Sequence, residues 1–109
     1  MASRIARGDV RLYQFAPQDK KRPVLVLTRD SALAYLSSAT VAPVTSCIRG
    51  VPSEVLLDEN DGMKNPCAVN LHNLVTVSQG RLGKRLAQLR AERMRDVCAA
   101  LGFSLGCDS

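Results

Sequence analysis

The sequence contains no tryptophan, a single histidine (His72) and only four aromatic residues, Tyr13, Phe15, Tyr35 and Phe103. So sparse an aromatic set gives little support to extended base stacking of the kind single-strand binding proteins use. The four cysteines (Cys47, Cys67, Cys98, Cys107) lie far apart with no C-x-x-C pair. Zinc ligands come clustered at short spacing, so no metal site is expected. Cys47, Cys67 and Cys98 read instead as small buried apolar residues, and Cys107 as part of a loose tail. No apolar run approaches the roughly 20 residues of a membrane-spanning helix. The segment Met1 to Arg7 carries arginines but no apolar stretch of the secretory kind, so a cytoplasmic protein without membrane association is expected. Acidic residues are also in short supply: 10 against 15 lysines and arginines, a net charge of +5. That balance favours nucleic acid, an anionic membrane or an acidic protein partner and says nothing about fold.

Apolar residues are plentiful, in short runs. A hydrophobic fraction of 46% argues against disorder. The 109 residues fit one domain, 1–109, with a core modest enough that dimerisation would help it. Residues Asp9 to Phe15 alternate, Val10 and Leu12 against Arg11, Tyr13 and Phe15, which is the period of a strand. A polar loop, Ala16 to Lys21, leads to a second strand, Arg22 to Thr28, whose run Val24-Leu25-Val26-Leu27 suits burial on both faces. Asp30 or Ser31 can cap a short helix through Leu33, Tyr35 and Leu36. Further strands are expected at Thr40–Ser46 and Glu54–Leu57, and one or two within Cys67–Val77. From Leu82 onward the period changes. Gly80 and Gly83 flank a helical turn, and Met94, Val97, Cys98, Leu101 and Leu105 mark the apolar stripe of an amphipathic helix. Many short strands closed by one helix predict a mainly β fold with some α, a small curled antiparallel sheet or barrel.

Arg22-Pro23 is the most informative dipeptide. Proline fixes φ and cannot donate to a ladder, so it suits the first position of a strand and places Arg22 at the strand's edge, near solvent. A guanidinium there can grip two phosphate oxygens at once, and fixed positive charge stabilises the charge that develops on a phosphorane. The plainer alternative is a solvated charge beside Lys20 and Lys21. Thr45 and Ser46 end an apolar strand, where a hydroxyl can donate to a non-bridging phosphate oxygen or simply cap the strand. His72 shares a face with Asn70, Leu74 and Thr76 if Cys67–Val77 is extended; histidine is the residue type whose unperturbed pKa lies near neutrality, so a proton relay and a plain surface or core role both stay open. Gly8 permits a backbone turn, and Asp9 is placed to bond local amides or to orient Arg22. Asp58-Glu59-Asn60-Asp61-Gly62 has the wrong ligand spacing for calcium and reads as a solvated turn. Arg81, Lys84, Arg85, Arg90, Arg93 and Arg95 form a basic run, either a solvated helix face or a source of phosphate contacts.

Five segments in register resemble the MazF/PemK (Kid-like) family of toxin endoribonucleases: Arg7-Gly8-Asp9-Val10, Arg22-Pro23-Val24-Leu25-Val26-Leu27, Pro43-Val44-Thr45-Ser46, Gly50-Val51-Pro52-Ser53-Glu54-Val55, and the stretch from Val69 to Arg81-Leu82. The resemblance spans nearly the whole chain and implies an SH3-like small barrel of the PemK/CcdB type with a C-terminal amphipathic helix, acting as a homodimer. It also implies a toxin that cleaves single-stranded RNA without a metal or other cofactor, the RNA's own 2′-hydroxyl attacking the adjacent phosphorus. Arg22 and Thr45 would be the catalytic pair. Lys20, Lys21, Ser46, His72 and Arg81 would contact RNA. The implied protein partner is a cognate antitoxin whose disordered, partly acidic C-terminal segment folds onto the RNA groove. The chain departs from the family pattern at His72-Asn73, where an acidic residue and glutamine are common, at Arg11, where an apolar or aromatic residue is frequent, and in the short loop Ala16–Lys21. Two rival functions accompany this reading: a CcdB-like gyrase inhibitor, disfavoured by the lack of the Trp-Gly-Ile tail, and a basic RNA-binding barrel without activity.

Overall fold

Valines dominate the strands, as β-branched residues suit a pleated, half-buried surface. A computed structural model describes residues 4–107; the first three residues and the last two of the tail lie outside the described part. In chain order the elements are β1 (Asp9–Tyr13), β2 (Arg22–Val26), α1 (Asp30–Leu33), β3 (Ser38–Thr45), β4 (Glu54–Leu57), β5 (Cys67–Asn70), β6 (Val75–Ser78), β7 (Arg85–Gln88) and α2 (Ala91–Leu105), with 3-10 turns at Glu59–Asp61 and Gln79–Arg81. All pairings are antiparallel, in the order β4-β5-β3-β2-β1-β7, and β6 joins through β3. β3 is the spine: its first half pairs with β6, its middle (Val41 to Pro43) with β2, and its last two residues with β5. The sheet therefore curls around β3, as the mainly β expectation requires.

The alternation of side chains sorts two apolar layers. Val10, Leu25, Ala42, Val44, Val55, Leu57, Val69 and Leu71 pack with Leu89, Met94, Val97 and Ala100, so α2 closes this face. Tyr13, Val24, Val26, Ala39, Val41 and Val77 form the other layer with Leu33 of α1, backed by Ile5 and Leu82. Residues Val24 to Val26 of β2 are accordingly buried on both faces.

Several expectations are corrected. Residues Arg85–Gln88 form a strand against β1, whereas the sequence pattern placed the change to helical period at Leu82. β7 is a charged, mostly exposed edge, so it lacks the alternation that would announce it. The helical turn ends at Arg81, before Gly83, which lies close against β1: its N–H donates to the Leu12 carbonyl at 2.8 Å. On α2 the buried residues are Met94, Val97 and Ala100, while Cys98 and Leu105 are exposed. Cys47 is exposed too; Cys67 alone of the three is buried. α1 is only four residues long, and the Asp30 carboxylate accepts from the Arg7 amide rather than capping the helix.

Asp9 and Arg11 explain each other. Asp9 is fully buried and takes hydrogen bonds from the Ala6 amide (3.1 Å), the Arg11 Nε (2.9 Å) and the Gln88 amide (3.2 Å). Arg11, also buried, donates onward to the carbonyls of Gly83 (3.0 Å) and Arg4 (3.1 Å). Asp9 thus anchors Arg11 and ties β1 to β7, instead of orienting Arg22.

Candidate functional site

The end of β2 and the end of β3 create one pocket. The β2–β3 ladder ends with Val24 opposite Pro43, and just beyond it Arg22 and Thr45 line the same pocket. On the other side Arg22 pairs with Tyr13 of β1. Pro23 keeps Arg22 at the strand's first position, and the side chain emerges into solvent. The pocket there, about 440 Å³, is lined by Phe15, Arg22, Pro23, Pro43, Val44, Thr45, Ser46 and the segment Met63–Cys67. Among the described residues its only charged lining side chains are Arg22 and Lys64, and no carboxylate lines it. Among the described residues neither cation has a hydrogen-bond or ion-pair partner.

The Thr45 hydroxyl accepts the Cys47 amide N–H at 3.0 Å. A hydroxyl has one proton and two lone pairs, so this bond fixes the oxygen and leaves the proton free to donate into the pocket. The turn that follows is held by Glu54, whose Oε1 accepts from the amides of Arg49 (3.0 Å) and Gly50 (2.8 Å). An unpaired guanidinium, an O–H donor and an apolar floor make an anion site suited to a phosphodiester.

The remaining candidates sort by distance from this pocket. Ser46 lines it. Arg81 lies with its guanidinium carbon 5.6 Å from the centre of the Tyr13 ring. Tyr13 meets Phe15 edge to face, ring centres 4.8 Å apart, and Phe15 lines the pocket. An aromatic pair therefore connects Arg81 to the Arg22 side. Lys20 and Lys21 are exposed in the loop that delivers Arg22 and do not line the pocket. His72 lies in the turn between β5 and β6, not on a strand, which removes the shared face with Leu74 and Thr76. Its Nδ1 sits 2.6 Å from the Ser53 hydroxyl, and it does not line the pocket.

The acidic turn is partly buried: Asp58 and Asp61 cap each other's backbone as a reciprocal box, and Asp61 binds Arg93 at 3.0 Å. Arg93 is thereby taken out of the free basic run. Cys67, beneath the pocket, has its thiol pKa raised by burial first and by the charges of Asp61 and Asp58 second. Among the described residues no group of His, Cys, Asp and Glu converges in a way that could hold a metal ion, and no helix is long and apolar enough to cross a membrane. Sequence reasoning missed Phe15, Lys64 and Asn65. Only the pairing of β5 with the end of β3 brings the loop Met63–Pro66 to the same place, and no local pattern announces that.

Residues 6–105 match the family described as PemK-like, MazF-like toxin of type II toxin–antitoxin system. The chain belongs to this family. A relative from Mycobacterium tuberculosis (strain ATCC 25618 / H37Rv), named probable endoribonuclease MazF5, is 43% identical over 103 residues, covering 94% of each chain. The structure of the Mycobacterium tuberculosis toxin MazF-mt6 superposes with a TM-score of 0.83 at 33% identity, over 93% of this chain and 99% of that one. A mycobacterial structure described as an endoribonuclease in complex with its cognate antitoxin shares the fold, with a TM-score of 0.84 at 22% identity over 94% and 95% of the two chains. The curled β sheet with its C-terminal helix is thus the MazF-like fold.

Proposed function

We propose that this MazF-type toxin is a metal-independent, sequence-selective endoribonuclease acting on single-stranded RNA. The observation that carries the reading is that Arg22, at the start of β2, and Thr45, at the end of β3, line one pocket that has no carboxylate among its described residues. The substrate's 2′-hydroxyl gives up its proton to solvent as it attacks the adjacent phosphorus, the P–O5′ bond breaks with O5′ taking up a proton, and the products carry a 2′,3′-cyclic phosphate and a 5′-hydroxyl. Arg22 holds the phosphorane's negative charge with a planar fork of donors and stands ready to protonate the leaving 5′-oxygen. Thr45, its oxygen already fixed by Cys47, donates to a non-bridging oxygen and seats the phosphate for in-line attack. The nucleophile belongs to the substrate and arginine supplies the charge, so no cofactor is required.

Ser46, Lys20, Lys21 and Arg81 guide the RNA strand toward the pocket, Arg81 through its position on the Tyr13–Phe15 pair. His72 contacts RNA beyond the pocket and takes no part in proton transfer there. The toxin works as a homodimer in the cytoplasm, and its antitoxin covers the same basic groove with an acidic segment. The names of the relatives support both the activity and the partner.

The test is incubation of the purified chain with a long natural RNA in excess EDTA. Discrete fragments ending in 2′,3′-cyclic phosphate and beginning with 5′-hydroxyl are expected. Binding without cleavage would favour the inactive RNA-binding barrel. Loss of activity in EDTA, restored by magnesium or manganese, would refute the mechanism.

A further inference from the structure

We propose that Lys64 is a substrate-binding residue that holds the phosphate next to the scissile one. The inference rests on the ribonuclease reading and adds a second anion position to the same pocket. Topology places it: β3 ends between β2, which brings Arg22, and β5, which is preceded by Met63–Pro66. Arg22 and Lys64 therefore both line the pocket at the Thr45 end of β3, one delivered by β2 and the other by the loop that leads into β5. One phosphodiester carries one negative charge, which Arg22 and the Thr45 hydroxyl already serve. A second cation across the strand end matches the following phosphate of the same chain.

Two further observations support this role. Acidic residues lie close to Lys64 in sequence, yet they leave it free. Asp58 and Asp61 are committed to each other's backbone and Asp61 to Arg93. The loop is also anchored, so the backbone that carries Lys64 is fixed beside the pocket before RNA arrives. The Met63 amide donates to the Asp58 carbonyl at 3.2 Å, Met63 packs on the core, and Pro66 stiffens the approach to β5. A lysine, a flexible point charge, suits a phosphate contact that must tolerate any neighbouring base. The volume of about 440 Å³ lies low in the roughly 300–1,000 Å³ range of ligand pockets, a size for a nucleotide rather than a duplex.

The experiment compares wild type, Lys64→Gln and Lys64→Arg, with thermal melts confirming equal folding. The cleavage site is first mapped on natural RNA. A labelled single-stranded oligonucleotide containing that site, with a 2′-deoxy nucleotide at the point of cleavage, then measures binding across a salt series. Its all-ribose counterpart measures saturating cleavage. For Lys64→Gln the dissociation constant is expected to rise several-fold, and the slope of log K against log salt to flatten by about 0.7, the value of one lost single-strand phosphate contact. The saturating rate should change much less than the dissociation constant, and Lys64→Arg should restore both binding values. An unchanged constant and slope in folded Lys64→Gln would overturn the proposal. So would a fall in saturating rate with binding untouched, which would put Lys64 at the reacting phosphate. If wild type cuts no RNA, binding is read on the natural RNA itself across the same salt series, and a Lys64-dependent slope there keeps this site while the ribonuclease reading falls.

Discussion

Arg11 and Arg93 are held by buried carboxylates, whereas Arg22 and Lys64 line a pocket that has none. Residue type alone did not separate these cations; their partners did. Asp9 and Arg11 form the most buried pair, with side chains 0% and 4% exposed. Removing one member of such a pair leaves an uncompensated charge, at a cost of about 3–5 kcal/mol. Asp9→Ala should lose stability on that order in denaturant unfolding, and adding Arg11→Leu should recover part of the loss. A second residue-scale prediction concerns Cys67. Burial and two nearby carboxylates raise its pKa, so the folded state favours the neutral thiol. The resulting stability is present below the ordinary thiol value, about 8.5, and is lost as pH rises through the raised folded value. Unfolding free energy should therefore fall on the alkaline side, and Cys67→Ala should flatten that limb. Alkylation at neutral pH should mark Cys47, Cys98 and Cys107 before Cys67.

Elements place these residues, and glycine decides one of the placements. Gly62 closes the 3-10 turn with φ of 89°, and a Cβ there would meet the Ala87 Cβ of β7 at 3.1 Å. A left-handed non-glycine residue costs on the order of 1–3 kcal/mol. Gly62→Ala should destabilise the chain within that range, read by thermal melting, and should weaken RNA binding by displacing Met63–Pro66. The strands that frame the pocket were legible in the sequence: Pro23 marks the start of β2, and the runs around Val24 and Val44 mark buried strands. Their neighbours were less so. β7 pairs through its backbone while only Ala87 of its side chains is half-buried against the core, so Arg85–Gln88 carries no apolar period. The β5–β6 segment breaks at Leu71–Leu74, and His72 consequently sits in a turn instead of on a strand face. Arg22 and Thr45 were readable because strand position and family pattern agreed. Lys64 was not, since its approach to the pocket depends on which strand lies beside the end of β3.

The whole molecule is a curled sheet with two apolar layers, and the pocket opens where three strands end together. A fold of this kind supplies rigid strand termini at which charge can be fixed without a metal, which is the arrangement the proposed reaction needs. The central claim is that Arg22 and Thr45 jointly perform metal-independent cleavage. Its most direct test is the single-turnover rate of RNA cleavage in excess EDTA for wild type, Arg22→Ala and Thr45→Ala, each shown to be folded. Loss of one placed transition-state donor typically costs about 10²–10³ in rate, and each variant is expected to fall by at least that much while still binding RNA. Cleavage by either folded variant at the wild-type rate would contradict the account.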